Sequence, residues 1–281
     1  MARSRLAVAA ITIDFGNTLV CVDRPGLWDV VDATAVQLAG KSIVRDHEAF
    51  VRTWAEERDR QFREEVPQLR EVDIPQRAVR VLARLRGMQP PPTEGRWDDL
   101  RAAELVRPDE IDVVVDAYSG AFVSRMTPVA DAGSTLARLA ERGFALGILS
   151  NWPLALTIDR FAEAHGWTQW LRAIVVSQRV GTIKPHPTIF RAAEDALGLD
   201  GEAAGRILHV GDDWAADVVG AHDAGWRTAY LRNRQLDTPL PTSEPGDDLV
   251  TDARVTPDLV IDELSDLDTL VELASAAEAP A

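Results

Sequence analysis

Residues 10–20 read AITIDFGNTLV, an apolar run that ends on a carboxylate, Asp14, and continues into a glycine, an asparagine and a threonine. The apolar run begins at Leu6, and its near-continuous character predicts a strand buried on both faces, as in parallel sheets that helices cover. An isolated Asp at the end of such a strand is usually a turn residue or a helix cap. A chemical role for Asp14 therefore depends on which residues the fold brings beside it.

The rest of the chain combines long helical patterns with short strand patterns. Apolar residues at spacings of three and four predict helices over residues 27–39, 46–65, 75–86 and about 97–125. From Met126 onward strands and helices alternate, ending with a strand DLVI and a helix ELSDLDTLVELA. This order predicts an α/β fold with a doubly wound, mostly parallel sheet. We expect a Rossmann-like catalytic core of residues 1–20 and 126–281, with residues 21–125 inserted as a helical cap domain.

Four polar residues fall where a predicted strand stops: Asp14, Ser150, Asp212 and Asp213. In a parallel sheet the carboxyl ends of the strands meet at one edge, and ligands bind in the crevice beyond it. We therefore expect these residues to converge on one crevice although they lie far apart in sequence. Such a convergence favours a functional site over a simple turn at Asp14.

Four motifs follow one another along the chain: IDFGNTL, ILSNWP, GTIKPHPTIF and HVGDDWAADVVGAHDAG. With these motifs and a helical insert after the first of them, the chain resembles the haloacid dehalogenase superfamily, hydrolases that form an aspartyl intermediate. One such motif alone would be a weak signal, but four in the right order and strand context are specific. The resemblance covers nearly the whole chain apart from the loop at residues 236–254. It implies a Mg²⁺-dependent hydrolase, in the first instance a phosphatase acting on a small phosphorylated metabolite.

Asp14 and Asp212 are candidate Mg²⁺ ligands. A carboxylate that attacks phosphorus must approach a dianion, and Mg²⁺ bound by that carboxylate and by Asp212 would cancel the repulsion. Asp14 would then be nucleophile and ligand together. The resemblance implies that the backbone carbonyl of Gly16 completes the protein ligands, with Asp213 and Asp217 steadying the site from behind. The alternative for GDDWAAD is a capped helix start, because acids favour that end of a helix.

The phosphoryl group needs donors and a cation of its own. Thr18, Ser150 and Asn151 offer short donors for phosphoryl oxygens that bring no charge. Lys184 offers the cation and counts as catalytic together with Asp14. The chain has 28 Arg but two Lys, so a lysine followed by proline after a predicted strand indicates a site that needs a compact ammonium.

Residue 16 departs from the phosphatase pattern. Phosphatases of this superfamily usually carry a second Asp two residues after the nucleophile, which protonates the leaving alkoxide and then activates water. Gly16 and Asn17 cannot transfer a proton, and a positioned acid or base is typically worth about 10² to 10⁴ in rate. Ordinary sugar phosphates should therefore turn over poorly.

Three functions remain compatible with the absence of an acid at residue 16. The first is a Mg²⁺-dependent hydrolase of a phosphoryl compound with a good leaving group, such as an acyl phosphate, or one that borrows a base from the cap. The second is a branch that cleaves a carbon–halogen or phosphonate bond, although dehalogenases need no metal and GDDWAAD looks metal-competent. The third is a catalytically weakened member that binds a phosphorylated ligand or partner.

Composition and charge limit the partners and the cellular compartment that the sequence allows. The formal net charge is −15, but residues 236–281 hold 12 acids and one Arg, which indicates a solvated acidic tail and argues against nucleic acid as a partner. The single cysteine, Cys21, excludes an internal disulfide, and the cytoplasm is the expected compartment. We expect Cys21 to pack in the core.

The N-terminus has some features of a signal peptide, but cleavage at residues 7–9 would destroy the strand before Asp14, so we expect it to be retained. No run reaches the length of a membrane span.

Several conspicuous side chains have ordinary structural interpretations. Trp152 follows the second motif and is expected to pack. His209 is the first residue of the fourth motif and is interpreted as structural. Arg77, Arg80 and Arg84 recur on one helical face of the cap, where a solvated face is the expectation rather than a substrate clamp.

Overall fold

The computed structural model describes residues 5–90, 99–199, 205–232, 237–245 and 255–274. Its strands are β1 (Leu6–Val8), β2 (Ala10–Ile13), β3 (Ala145–Ser150), β4 (Leu171–Val176), β5 (Ile207–Gly211), β6 (Arg227–Leu231), β7 (Leu259–Ile261) and β8 (Val271–Leu273). Its α-helices are α1 (Arg24–Gly40), α2 (His47–Glu65), α3 (Ile74–Leu85), α4 (Asp99–Leu105), α5 (Pro108–Arg125), α6 (Ala132–Glu141), α7 (Ala155–Ala164), α8 (Ser177–Val180), α9 (Pro187–Leu197), α10 (Gly220–Asp223) and α11 (Leu267–Leu270). A π-helical segment, Trp214–Val219, leads into α10.

Six of the described strands form one parallel sheet in the order β4-β3-β2-β5-β6-β7. The chain leaves the fully buried β2 for β3 on one side and later returns to β5 on the other. Such a reversal of strand order opens a crevice at the carboxyl end of the central strand. The predicted doubly wound α/β sheet is confirmed, and Asp14, the residue after β2, lies at this reversal.

Helices α1 to α5 lie between β2 and β3 in the chain, and we call them the helical insert. The two connections between insert and sheet lie side by side, since the amide of Cys21 donates to the carbonyl of Thr127 (3.2 Å). Phe122 of α5 packs against Phe15, Trp152 and Phe161, with ring centroids 6.2, 5.3 and 6.1 Å away. The insert therefore shares its apolar core with the sheet. The division into two domains at residues 20/21 and 125/126 stays a prediction.

Three sequence expectations about local structure are wrong. The helix predicted over residues 97–125 is interrupted between α4 and α5, because Pro108 disfavours a helical residue before it. The helix predicted at ELSDLDTLVELA ends early, and Val271–Leu273 instead pairs in parallel with β1, so long-range pairing overrides the local pattern. Cys21 is exposed rather than packed in the core, because it lies on the connection into the insert.

The arginines of α3 face α2 rather than solvent. Arg80 donates from Nε to Oε2 of Glu57 (2.7 Å), and Arg84 donates from Nη1 to Oε1 of the same carboxylate (2.9 Å). Arg77 is buried and donates from Nε to Oε1 of Gln61 (2.8 Å). The expected solvated face is therefore wrong for Arg77 and Arg80, which link two helices of the insert. Among the described helices, none is both long enough and apolar enough to cross a membrane.

Candidate functional site

Lys184 lies at the centre of a buried polar cluster beyond the carboxyl ends of the strands. Its Nζ donates to Oδ1 of Asp14 (2.8 Å), to Oδ1 of Asp217 (2.6 Å) and to the carbonyl of Leu149 (2.9 Å). Burial disfavours the ammonium, but the charges of Asp14 and Asp217 outweigh it and raise the pKa of Lys184 above its ordinary value. Lys184 is therefore a fixed cation against the predicted nucleophile.

Asp14, Asp212 and Asp217 form a cluster of buried carboxylates whose oxygen atoms lie within 4.8 Å of one another. Burial raises the pKa of Asp14, and the charge of Lys184 only partly offsets this. Burial acts on Asp217 too, but the charge of Lys184 and a hydrogen bond from His209 hold the pKa of Asp217 below its usual range. The cluster holds three carboxylates and one ammonium, which contacts two of them, so it has the excess negative charge and the oxygen donors that suit a divalent cation.

His209 supports the cluster from inside the sheet. It is paired in register with Thr12, whose Oγ1 lies 2.9 Å from His209 Nδ1, while Nε2 lies 3.0 Å from Oδ1 of Asp217. Burial and the nearby ammonium lower the pKa of His209, so the ring is neutral, accepting from Thr12 and donating to Asp217. The sequence does not identify this link. The available signal was a pair of polar residues inside two otherwise apolar strands.

The loop after β2 turns sharply and aims Thr18 at the cluster. The amide of Asp14 donates to the carbonyl of Val210 (2.8 Å), which continues the sheet pattern by one residue. Asn17 has a left-handed backbone (φ 57°), which asparagine adopts more readily than most residues, and its Oδ1 accepts from the amide of Val22 (3.1 Å). Thr18 donates from Oγ1 to Oδ1 of Asp212 (3.2 Å). Thr18 thereby joins the first and fourth motifs.

Ser150 and Asn151 of the second motif differ in whether their side chains have hydrogen-bond partners. The amide group of Asn151 is paired with the backbone of Lys184, accepting from its N (2.7 Å) and donating to its carbonyl (3.1 Å). The hydroxyl of Ser150 is buried and has no hydrogen-bond partner within the described structure. Of the three predicted phosphoryl donors, Ser150 is thus the one whose side chain is uncommitted. Asn151 instead fixes the position of Lys184.

The fourth motif serves both as a helix start and as part of the cluster. Asp213 accepts from the amide of Ala216 (2.9 Å) and from the hydroxyl of Ser243 (2.6 Å), so it caps the following turn. Asp217 points back into the cluster, and its Oδ2 accepts from the amide of Asp213 (2.9 Å). A Cβ at Gly211 would lie 2.1 Å from that oxygen, so glycine permits the approach. Within GDDWAAD, the helix cap is therefore Asp213, whereas Asp217 belongs to the carboxylate cluster.

A cavity of about 440 Å³ extends from this cluster between the sheet edge and the helical insert. Its wall includes most of the predicted site, namely Asp14, Gly16, Asn151, Lys184, Asp212, Asp213 and Asp217. Trp152 also lines it, in addition to packing against Phe15. A further part of the wall comes from residues 237–245, which we call the strap; it belongs to the loop outside the sequence resemblance. The site therefore contains a component that the motifs do not predict.

Three hydrogen bonds, which we call the rim contacts, join the insert to the core where both contribute to the wall of this cavity. The amide of Ile183 donates to the carbonyl of Leu69 (3.2 Å), and the amide of Ile74 donates to the carbonyl of Pro153 (3.3 Å). The hydroxyl of Ser177 donates to the carboxylate of Glu71. The insert therefore closes over the site.

Comparison with known proteins gives a consistent family relationship. A family model described as haloacid dehalogenase-like hydrolase matches residues 8–225. The chain is 31% identical over 135 residues to the ribulose-1,5-bisphosphate 5-phosphatase of Halopiger xanaduensis, a match covering 47% of this chain and 55% of the relative. It is 32% identical over 142 residues to the glyceraldehyde 3-phosphate phosphatase of Pyrococcus abyssi, with the same coverage of each chain. The chain thus spans a little over half the length of these relatives.

Solved structures share the fold at lower sequence identity. The 2-haloacid dehalogenase of Pseudomonas syringae pv. Tomato superposes with a TM-score of 0.59 at 19% identity, covering 94% of this chain and 97% of the other. The HAD-hydrolase YfnB of Bacillus subtilis, solved bound to magnesium, gives a TM-score of 0.56 at 16% identity, with the same two coverages. At such identities the likeness concerns the fold alone.

Proposed function

Because this chain belongs to the haloacid dehalogenase-like hydrolase family, we propose that it is a Mg²⁺-dependent phosphohydrolase that acts on a small phosphorylated compound through Asp14. The observation that carries the proposal is the buried contact of Lys184 with Asp14. Lys184 also donates to the carbonyl of Leu149, the residue before Ser150, whose buried hydroxyl has no partner within the described structure. Together they offer a nucleophile, a cation and a neutral donor for one phosphoryl group. The relatives named phosphatases support the same class of reaction.

The proposed reaction has two steps. A carboxylate oxygen of Asp14 attacks phosphorus, the bond to the leaving oxygen breaks, and the phosphoryl group is transferred to Asp14. The ammonium of Lys184 and the hydroxyl of Ser150 hold phosphoryl oxygens, in an environment where burial strengthens both interactions. Water then attacks the same phosphorus, the bond to Asp14 breaks, and the phosphate departs with both protons of that water.

The residues present fit Mg²⁺. Asp14, Asp212 and the backbone carbonyl of Gly16 would hold the ion, and Asp217 and Asp213 would support them. The excess of carboxylates over ammonium groups in the cluster is the structural argument for this assignment. When bound, Mg²⁺ would reduce the repulsion between the carboxylate and the phosphoryl dianion.

The test is release of phosphate from acetyl phosphate and 4-nitrophenyl phosphate, with Mg²⁺ and with a chelator. Asp14→Asn should abolish release, whereas the matched Asp223→Asn, at an exposed position in α10, should retain it. Intact-protein mass spectrometry of the quenched wild type should detect a phosphoryl adduct on Asp14. Equal release by Asp14→Asn would contradict the proposal. Release of halide from a haloacid, with no phosphate from either ester, would favour the dehalogenase alternative.

Metal binding is tested separately from turnover. Calorimetry should detect Mg²⁺ binding to the wild type and to Asp223→Ala, and should lose it in Asp212→Ala. Undiminished affinity in Asp212→Ala would place the metal elsewhere.

A further inference from the structure

The space beside Gly16, where the family's usual acid would project, is filled by the strap. A Cβ on Gly16 would lie 2.7 Å from Cδ1 of Leu240 and 3.2 Å from Cζ3 of Trp152. Gly16 does not have the positive φ that would itself demand glycine. The glycine is therefore required by close packing against two apolar side chains, and the missing acid is replaced by an apolar wall.

The strap is fastened at both ends to the motifs that form the site. Near its start, Thr238 accepts at Oγ1 from the side-chain amide of Asn17 (2.8 Å). Near its end, the carbonyl of Ser243 accepts from the amide of Trp214 (3.0 Å), and its hydroxyl accepts from the amide of Ala215 (2.8 Å). These contacts hold Leu240 between the first and fourth motifs. The apolar wall is therefore built into the site.

The cavity beyond the cluster is apolar and offers no second cation. Its apolar wall includes Leu27, Phe62, Val66, Leu69, Ile183 and Leu240. Among the described residues that line the cavity, Lys184 is the one cation, and it is already held by Asp14 and Asp217. The charged group that the insert adds to this wall is an acid, Glu71. A substrate with a second phosphate or a carboxylate would meet no further cation among these lining residues, whereas Glu71 adds an acid to the wall.

Building on the function proposed above, we propose that the substrate is the monophosphate of an apolar, weakly basic leaving group, such as a phenol or an aromatic carboxylic acid. Such a group fits an apolar cavity of about 440 Å³, which lies within the usual range for small-molecule sites. It also needs no acid at residue 16. A phenol ionises with a pKa near 10, whereas alcohols resemble water, near 15.7.

The chemistry balances without a proton donor from the protein. The oxygen of Asp14 forms a bond to phosphorus as the bond between phosphorus and the aryl or acyl oxygen breaks. That oxygen keeps the electron pair and departs as a phenolate or carboxylate. An alkoxide could not leave readily in the same way, because it would be far more basic.

The decisive comparison uses two esters of nearly the same shape, phenyl phosphate and cyclohexyl phosphate, with the full chain and Mg²⁺. We expect kcat/KM for phenyl phosphate to exceed that for cyclohexyl phosphate by about a hundredfold or more. It should also exceed the values for phosphoglycolate and glyceraldehyde 3-phosphate. Leu240→Ala should raise KM for phenyl phosphate by about three- to tenfold and raise KM for acetyl phosphate by less, because acetyl phosphate is smaller and makes less contact with the wall. Leu273→Ala, at a half-exposed position in β8, is the matched control.

The outcomes separate this inference from the proposed function. Comparable rates for the two esters, lost together in Glu71→Gln, would mean that Glu71 supplies the acid and would overturn the inference. A preference for phosphoglycolate would overturn it as well. If acetyl phosphate is hydrolysed through Asp14 while phenyl phosphate is not, the inference fails and the proposed function stands. If no phosphoryl compound is cleaved and Asp14 is never phosphorylated, both fail.

Discussion

Restoring an acid at residue 16 should require removal of Leu240. In Gly16→Asp the new Cβ would lie 2.7 Å from Cδ1 of Leu240, whereas ordinary contacts begin at 3.4 Å, so the leucine must retreat by about 0.7 Å. Overpacking of this kind typically costs about 1–3 kcal/mol. Truncation of Leu240 to Ala removes the obstructing atom, and the tight contact with Trp152 then needs a shift of only a few tenths of an ångström.

The double variant Gly16→Asp/Leu240→Ala should therefore gain activity where Gly16→Asp alone gains little. An acid and base in position is worth about 10² to 10⁴ in rate, or about 3–5 kcal/mol in the barrier. We expect this gain for cyclohexyl phosphate and almost none for phenyl phosphate, whose leaving group needs no proton.

The assay is kcat/KM for both esters across the wild type, the two single variants and the double variant, with urea unfolding of each protein. Gly16→Asn/Leu240→Ala is the control, because it has the same shape but cannot transfer a proton. If Gly16→Asp alone gains as much as the double variant, Leu240 does not obstruct the position. If a folded double variant that binds Mg²⁺ gains nothing, proton transfer is not the missing component.

Two further predictions concern buried charges. Lys184→Met should abolish turnover and lower the free energy of unfolding by about 3–5 kcal/mol in Mg²⁺-free urea titrations, because it leaves buried carboxylates without their cation; Lys41→Met, at an exposed lysine, should do neither. In the insert, burial opposes ionisation of Glu57, but hydrogen bonds from Arg60 and Arg80 prevail and lower its pKa. Its contribution to stability is therefore complete above the unfolded value of about 4.3 and is lost as the pH falls through the lower folded value. Unfolding measured between pH 7 and pH 3 should lose less stability on acidification in Glu57→Gln than in the wild type or in Glu48→Gln, an exposed position on the same helix; equal pH profiles would contradict this assignment.

Much of the cluster is predictable because its signals are local. Asp14 and Asp212 follow apolar strands that need no distant information to be identified, and a parallel sheet necessarily brings such strand ends together. Lys184 is conspicuous because lysine is rare in this chain. The link through His209 depends on register across the sheet, which pairs it with Thr12. A strand can be predicted from its own segment of sequence, whereas the register between two strands depends on both segments.

The parts that sequence misses depend on contacts between distant segments. The periodicity that places Arg77 and Arg80 on one helical face is the same whether that face meets water or α2. Val271 belongs to a locally helical pattern, and only the neighbouring edge of β1 makes it a strand residue. The sequence around Leu240 is rich in proline and polar groups, which is typical of a solvated loop. Nothing within that stretch indicates that its leucine lies against Gly16.

The rim contacts and the packing of Phe122 differ in how easily they can be broken. The rim contacts comprise two backbone hydrogen bonds worth about 1 kcal/mol net each and one to a carboxylate worth about 1.5–3 kcal/mol, whereas Phe122 is buried among aromatic rings beside the two connections between insert and sheet. We therefore expect these two connections to act as a hinge and the rim contacts to open before the packing around Phe122. Motions of this kind take microseconds to milliseconds and often limit turnover. For substrates whose leaving groups depart fast, this opening motion would limit the release of phosphate. Their kcat values would then converge on one value, while their kcat/KM values would still differ.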